Sequence, residues 1–215
     1  MHKIKVAHLS KKFKDVEVLR DINLECQSGR IYGLIGYNGS GKTVLFKCIC
    51  GFLKANQGFV EVDGQRIGKE KDMLTEAGII IENPGFLRKK TAYQNLEYLY
   101  TLRNKMNREH ILQVLDMVGL DGTSKKKVGK YSLGMKQRLA IAQAIMESPD
   151  ILILDEPMNG LDKNGIKEMR ELFLEMKQQD KIILLASHNK DDIAVLCDEV
   201  YEIQDGMLER VNVTQ

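Results

Sequence analysis

The chain has 215 residues, enough for one large or two small domains, and 43% of them are hydrophobic, which supports a sizeable core. Its 32 basic and 30 acidic residues leave a formal charge of +2, so bulk electrostatics gives no case for a nucleic-acid or membrane-surface partner. The basic runs Lys69 to Lys71, Arg88 to Lys90 and Lys125 to Lys127 read as solvated loops. Cys26, Cys48, Cys50 and Cys197 form no CxxC pair and no metal-ligand spacing with His2, His8, His110 and His188, which points to reduced thiols in a cytosolic protein. No apolar run reaches the length of a membrane span, and Met1 to Val6 alternates like a strand rather than a signal core; any membrane part belongs to another chain.

In chain order, residues 2–27 alternate polar and apolar around a turn near Lys14-Asp15, and residues 58–67 do so around Asp63-Gly64, predicting antiparallel hairpins. Between them, a strand (Ile31 to Ile35) leads through a glycine-rich stretch into an amphipathic helix (Val44 to Cys50). Gly78 to Ile81 reads as a further strand. From Thr91 to Gly119 the pattern is helical, with Leu96, Leu99, Tyr100 and Arg103 and then Ile111, Leu112, Leu115 and Val118 at helical spacing, and a second helical run spans Gly134 to Met146. Ile151 to Leu154 and Lys181 to Ala186 are continuous apolar strands of the kind a parallel sheet buries on both faces. The fold class is therefore α/β, with a nucleotide core and antiparallel β part over about 1–85 and 148–215 and a helical insertion over about 86–147. Pro84 and Pro157 flank candidate site residues, whereas Pro149 ends a helix.

Gly36-Tyr37-Asn38-Gly39-Ser40-Gly41-Lys42-Thr43 fits Gly-x-x-x-x-Gly-Lys-Thr between a strand and a helix, the context of a phosphate-binding loop. A triphosphate needs several donors at once, and backbone amides crowd close enough only where side chains are absent. Asn38, Gly39, Ser40, Gly41, Lys42, Thr43 and Val44 are thus the expected contacts to ATP, with Lys42 reaching the β- and γ-phosphates, Thr43 holding Mg²⁺ and the helix adding its positive end. The metal needs a carboxylate, and Asp155 at the end of an apolar strand provides it; the adjacent Glu156 would orient and deprotonate the attacking water. Water rather than a kinase substrate is the expected acceptor.

At this point the sequence resembles the ATP-binding subunits of ABC transporters over nearly its whole length. Tyr131-Ser132-Leu133-Gly134-Met135-Lys136-Gln137-Arg138 is similar to the family's signature, Asn159-Gly160-Leu161-Asp162 to its D-loop, and His188 to its switch histidine. The resemblance implies a P-loop NTPase (RecA-like) core with an antiparallel β subdomain and an inserted helical subdomain. It implies that Ser132 and the Gly134 amide meet the γ-phosphate held by the opposite subunit of an ATP-dependent homodimer, or of a heterodimer with a related ATPase. It further implies that Phe13, with Val18 beside it, stacks on adenine, that His188 contacts the γ-phosphate, and that a separate transmembrane permease anchors the chain at the cytoplasmic face of the membrane. That permease would dock near Phe86, Leu87 and Tyr93 to Tyr100, with Met73, Met106, Met117 and Met135 enriching the surface. A soluble ABC ATPase acting on ribosomes or DNA is the alternative, although no tandem domain, heptad run or strongly basic face accompanies the motifs.

Three departures from the family pattern stand out. Glu82, followed by Asn83-Pro84, occupies the place of a glutamine that ligates Mg²⁺, and with Ser-Leu-Gly-Met in the signature it is most similar to the branch serving bacitracin-type and lantibiotic-type peptide antibiotic export. Leu133 replaces a glycine, so its side chain is expected to point away from nucleotide. The chain ends at Gln215, soon after the hairpin-like Asp205-Gly206, where longer drug-export relatives carry an extension; no regulatory domain is expected.

Overall fold

A computed structural model describes residues 1–82 and 85–212; Asn83, Pro84 and the last three residues lie outside it. Two sheets share the chain. β1 (Lys3–Phe13) and β2 (Val16–Gln27) form the first antiparallel hairpin, and β4 (Gln57–Val62) and β5 (Gln65–Arg66) extend it into a four-stranded sheet of order β2-β1-β4-β5. Both hairpins turn where the sequence predicts, at Lys14 and at Asp63-Gly64, each with a residue in the left-handed region.

The second sheet, of order β10-β9-β3-β8-β7-β6, contains β3 (Arg30–Ile35), β6 (Ala77–Ile80), β7 (Ile151–Asp155), β8 (Ile182–Ala186), β9 (Glu199–Gln204) and β10 (Met207–Val211). Every pairing from β9 to β6 is parallel, and only the edge strand β10 runs antiparallel. The central strands are apolar throughout because both faces are covered. Leu152, Leu154, Ile183 and Leu185 point to one core, while Ile151, Ile153, Ile182, Leu184 and Ala186 alternate into the other. The first core receives α2 (Ala92–Tyr100), α3 (Arg108–Met117), α4 (Leu133–Ile145), α5 (Lys163–Gln178) and part of α6 (Lys190–Leu196); the second receives α1 (Lys42–Ile49) and the four-stranded sheet.

The helical stretch read over Thr91 to Gly119 is two helices. Thr91 and Gln94 form a reciprocal capping box at α2, and Asn107, accepting from the His110 amide, starts α3 anew. α5, which the sequence reading passed over, carries Met169, Leu172, Phe173 and Met176 into the first core. The signature helix α4 lies directly on β6. A Cβ added at Gly78 would sit 2.1 Å from the Ala144 carbonyl oxygen, so only glycine permits that approach.

This topology positions the candidate site. Because β3, β8, β7 and β6 run parallel, their carboxyl ends lie along one edge of the sheet, where open α/β folds bind ligands. The phosphate loop follows β3, His188 follows β8, Asp155 and Glu156 close β7, and Glu82 follows β6.

Candidate nucleotide site

The glycine-rich loop has the backbone that the motif requires. Gly36, Gly39 and Gly41 have φ of 145°, 86° and 114°. A Cβ at Gly36 would meet the Ile203 carbonyl at 2.6 Å and one at Gly41 would meet Leu19 at 2.9 Å, whereas Gly39 faces open space and needs glycine only for its backbone angle. Gly41 caps α1 without a side-chain acceptor, so the first-turn amides of the helix remain available to an anion. Lys42 is buried, and its Nζ donates to the carbonyls of Gly36 (2.6 Å) and Tyr37 (3.1 Å); no carboxylate pairs with it among the described residues. Ser40 Oγ is buried and, among the described residues, has no hydrogen-bond partner, which fits a polar group held against the loop.

Across the loop, Thr43 Oγ1 donates to Asp155 Oδ2 at 2.6 Å. Hydroxyl and carboxylate together offer the hard oxygen donors that Mg²⁺ prefers, and a metal held chiefly by phosphates needs only one or two such protein ligands. This suits a molecule in which, among the described residues, no group of three or more His, Cys, Asp or Glu side chains converges on a metal position. Glu82 lines the same cleft, but its carboxylate is engaged by Lys47 Nζ on α1.

Glu156 sits in the left-handed region at φ 51°, its amide donating to the Ala186 carbonyl at 2.9 Å. Its Oε2 lies 2.9 Å from His188 Nδ1. An ionised carboxylate only accepts, so this contact requires the proton on Nδ1 and orients the imidazole. Strand neighbours explain the meeting: Asp155 of β7 pairs with Ala186 of β8, and each chain continues from there into its site residue. Gln137 of α4 completes the arrangement, its side-chain amide donating to the carbonyls of Pro157 (2.8 Å) and Glu156 (3.4 Å).

A cleft of about 430 Å³ joins these groups, lined by Asn38, Gly39, Gly41, Lys42, Thr43, Val44, Glu82, Asp155 and Glu156 from the expected set, with Leu133, Gln137 and Asn159 added. A larger hollow of about 630 Å³ opens at the opposite ends of β6 and β7, between Thr75, Arg103, Glu147 and Asp150, and holds none of the motifs. Ser132 and Gly134 do not line the nucleotide cleft of their own chain. Ser132 caps α4, accepting from the Met135 amide at 3.2 Å. Leu133 lines the wall of this chain's own cleft, more than half exposed, and lies over Gly160, where an added Cβ would fall 2.5 Å from its side chain. Phe13 and Val18 are also outside the cleft lining. Phe13 is 43% exposed at the end of β1 with Lys11 Nζ over its ring, so it is not a core residue; Val18 backs Gly41.

Lys47 was not singled out from the sequence, and Gln137 was quoted only as part of the signature-like stretch, without a role. Lys47 lies four residues beyond Thr43 on the same helix, and helical spacing alone puts it on the motif's face.

A phosphate loop, a strand-end Asp-Glu pair and a histidine at one edge of a parallel sheet define a P-loop nucleotide-binding protein. The sequence pattern of the ABC transporter family matches residues 19–159, and the chain belongs to that family. It is 41% identical to the ABC transporter ATP-binding protein YybJ of Bacillus subtilis (96% of this chain, 94% of that protein) and 41% to the bacitracin transport ATP-binding protein BcrA of Bacillus licheniformis (95% and 68%). Identity to the lantibiotic transport ATP-binding protein SrtF of Streptococcus pyogenes is 35% (95% and 88%). Among solved structures, an ATP-binding subunit of an ABC transporter superposes with a TM-score of 0.88 at 25% identity, covering 98% of this chain and 90% of the other. The dimeric cassette MJ0796, at 22% identity and a TM-score of 0.85 over 98% and 100% of the chains, shares the fold. The chain is thus an ATPase subunit of the ABC transporter family, and the reading as a soluble ribosome- or DNA-acting ATPase is not favoured.

Proposed function

We propose that this chain powers export of a peptide antibiotic or similar drug-like compound, binding ATP with Mg²⁺ in the cleft at the carboxyl edge of the sheet. The convergence of the phosphate loop, Asp155, Glu156 and His188 on that edge carries the reading. Lys42 would leave its loop carbonyls for the β- and γ-phosphates, while Thr43 and Asp155, and in this chain Glu82, would supply protein oxygens to the metal. A magnesium ion held by those residues would supply positive charge beside the phosphates. Glu156 takes the proton from that water, and His188 Nδ1 holds its carboxylate in place. Phe13 stacks on the adenine, and Val18 packs beside it.

Ser132 and Gly134 lie outside the chain's own cleft, which supports their acting on nucleotide held by a second subunit, either a second copy or a related ATPase. Exposed Leu87, Tyr98, Leu102 and Met106 support a docking face for a separate membrane permease, which would keep the chain at the cytoplasmic surface of the membrane; no helix among the described residues is long and apolar enough to cross it. The names of BcrA and SrtF support a peptide antibiotic as cargo.

The test is light scattering during gel filtration of Glu156→Gln with and without ATP and Mg²⁺, alongside Ser132→Arg in the same background. A dimer that forms only with ATP and disappears with the Ser132 change is the expected result. A monomer under every condition would count against the two-subunit sandwich.

A further inference from the structure

The cleft places three carboxylates, Glu82, Asp155 and Glu156, around one ammonium, Lys42, although its ligand is itself a polyanion. Where a neutral glutamine would leave the balance at two acids, Glu82 adds a third negative charge. The structure places one cation against that extra charge. Lys47 Nζ donates to Glu82 Oε1 from the last turn of α1, four residues and one turn beyond Thr43, which itself holds Asp155. The Lys47 side chain is 27% exposed and that of Glu82 65%, so solvent screens the pair on its outer side, and Glu82 is held at φ 61°. Lys47 is not part of the cleft lining, so its charge reaches the cleft through Glu82.

We infer that Lys47 is the charge partner that makes a glutamate workable at position 82: it draws the carboxylate toward α1 and so lowers the repulsion between Glu82 and the phosphates of incoming nucleotide. This inference rests on the ATP-site reading above. Its physical basis is Coulombic. A carboxylate left unpaired in the same partly solvated cleft as the phosphates raises the dissociation constant about three- to tenfold, and less so when salt shortens the Debye length. Lys47 is accordingly a positioning residue, acting through Glu82.

Titration calorimetry of the full chain with ATP in EDTA and low salt tests this for the wild type, Lys47→Met, Lys47→Arg, Glu82→Gln and the Lys47→Met/Glu82→Gln double variant. Lys47→Met should weaken ATP binding about three- to tenfold. Lys47→Arg, which keeps the charge, should stay within about twofold of wild type, and Lys47→Met should cost almost nothing once residue 82 is glutamine. An equal loss from Lys47→Met in both backgrounds, a comparable loss in Lys47→Arg, or no loss at all would overturn the inference. Failure of the site itself would look different: wild-type protein would not bind ATP, or Lys42→Ala would leave binding unchanged.

Discussion

The side-chain amide of Gln137 donates to the carbonyl oxygens of Pro157 at 2.8 Å and Glu156 at 3.4 Å, so the signature helix grips the backbone that carries the proposed base. Glu156 is in the left-handed region, which a glutamate adopts only when its surroundings hold it there. Gln137→Ala removes one of those restraints while leaving the phosphate loop intact. The expected outcome is a roughly tenfold lower kcat with ATP affinity within about twofold of wild type. Parallel measurement of steady-state hydrolysis and calorimetric ATP binding checks the split.

Lys42 offers the cleft its buried ammonium, with only loop carbonyls to satisfy it. Charge-assisted hydrogen bonds are worth about 1.5–3 kcal/mol, so Lys42→Ala should weaken ATP binding by roughly ten- to a hundredfold. Unchanged affinity by calorimetry would remove the phosphate loop from the site.

Gly78→Ala forces a methyl group against the Ala144 carbonyl and Leu152, at 2.1 and 2.7 Å from its ideal position. Neither the sheet nor the backbone of α4 can yield cheaply. Overpacking of this kind costs about 1–3 kcal/mol, which for a chain of this size lowers the Tm by on the order of 5 °C. Differential scanning calorimetry measures it, and an unchanged Tm would mean that α4 does not rest on β6 as described.

Cys26, Cys48 and Cys50 are buried, and Cys197 is partly buried. Burial pushes Cys48 up to about 11, and Cys50 and Cys197 up to about 12, and raises Cys26 as well. Folded-state values above the unfolded value mean that the associated stability is present below about pH 8.5 and is lost as pH rises toward the folded values. Unfolding free energy should therefore fall between about pH 8.5 and 11, and iodoacetamide at pH 8 should label Cys26, Cys48 and Cys50 only in denaturant. Mass spectrometry counts the labels; rapid native labelling of Cys48 or Cys50 would contradict their burial.

Tyr98 and Leu102, one turn apart and 57% and 66% exposed, stand on the face proposed for the permease. Replacing both with Glu should leave ATPase activity of the purified chain within about twofold, since surface changes of this kind rarely alter folding. Co-purification with membranes from cells carrying the permease should drop severalfold. Undiminished co-purification would move the docking face elsewhere.

The phosphate loop, the Asp155-Glu156 strand end and the hairpins at Lys14 and Asp63 were legible because each rests on a local rule: glycine sterics, an apolar run or alternation. Phe13 shows where local pattern stops, since alternation does not say whether a strand's last aromatic is buried, and the structure leaves the ring 43% exposed. α5 was legible but passed over; its stripe of Met169, Leu172, Phe173 and Met176 has the helical period, among many charged neighbours. The break between α2 and α3 hinges on Asn107, a cap that looks like any polar loop residue until its acceptor is seen. Nothing local announces that Lys47 meets Glu82 or Gln137 meets Glu156, contacts spanning 35 and 19 residues that depend on the order of strands in the sheet. The Asn83-Pro84 step beyond Glu82 lies outside the described residues.

The approach of Ala144 to Gly78 is near one end of α4 and Ser132 caps the other, about 18 Å away at 1.5 Å per residue. A rod pinned at one end behaves as a pointer: a tilt of about 10° at the Gly78 pivot sweeps the Ser132 tip through about 3 Å. Gln137 rides a little beyond the midpoint of that pointer, so any swing of the Ser132 tip would also tug the backbone carbonyls of Glu156 and Pro157. One missing methyl group at Gly78 thus sets the fulcrum about which the Ser132 tip and the backbone of the proposed base would turn together.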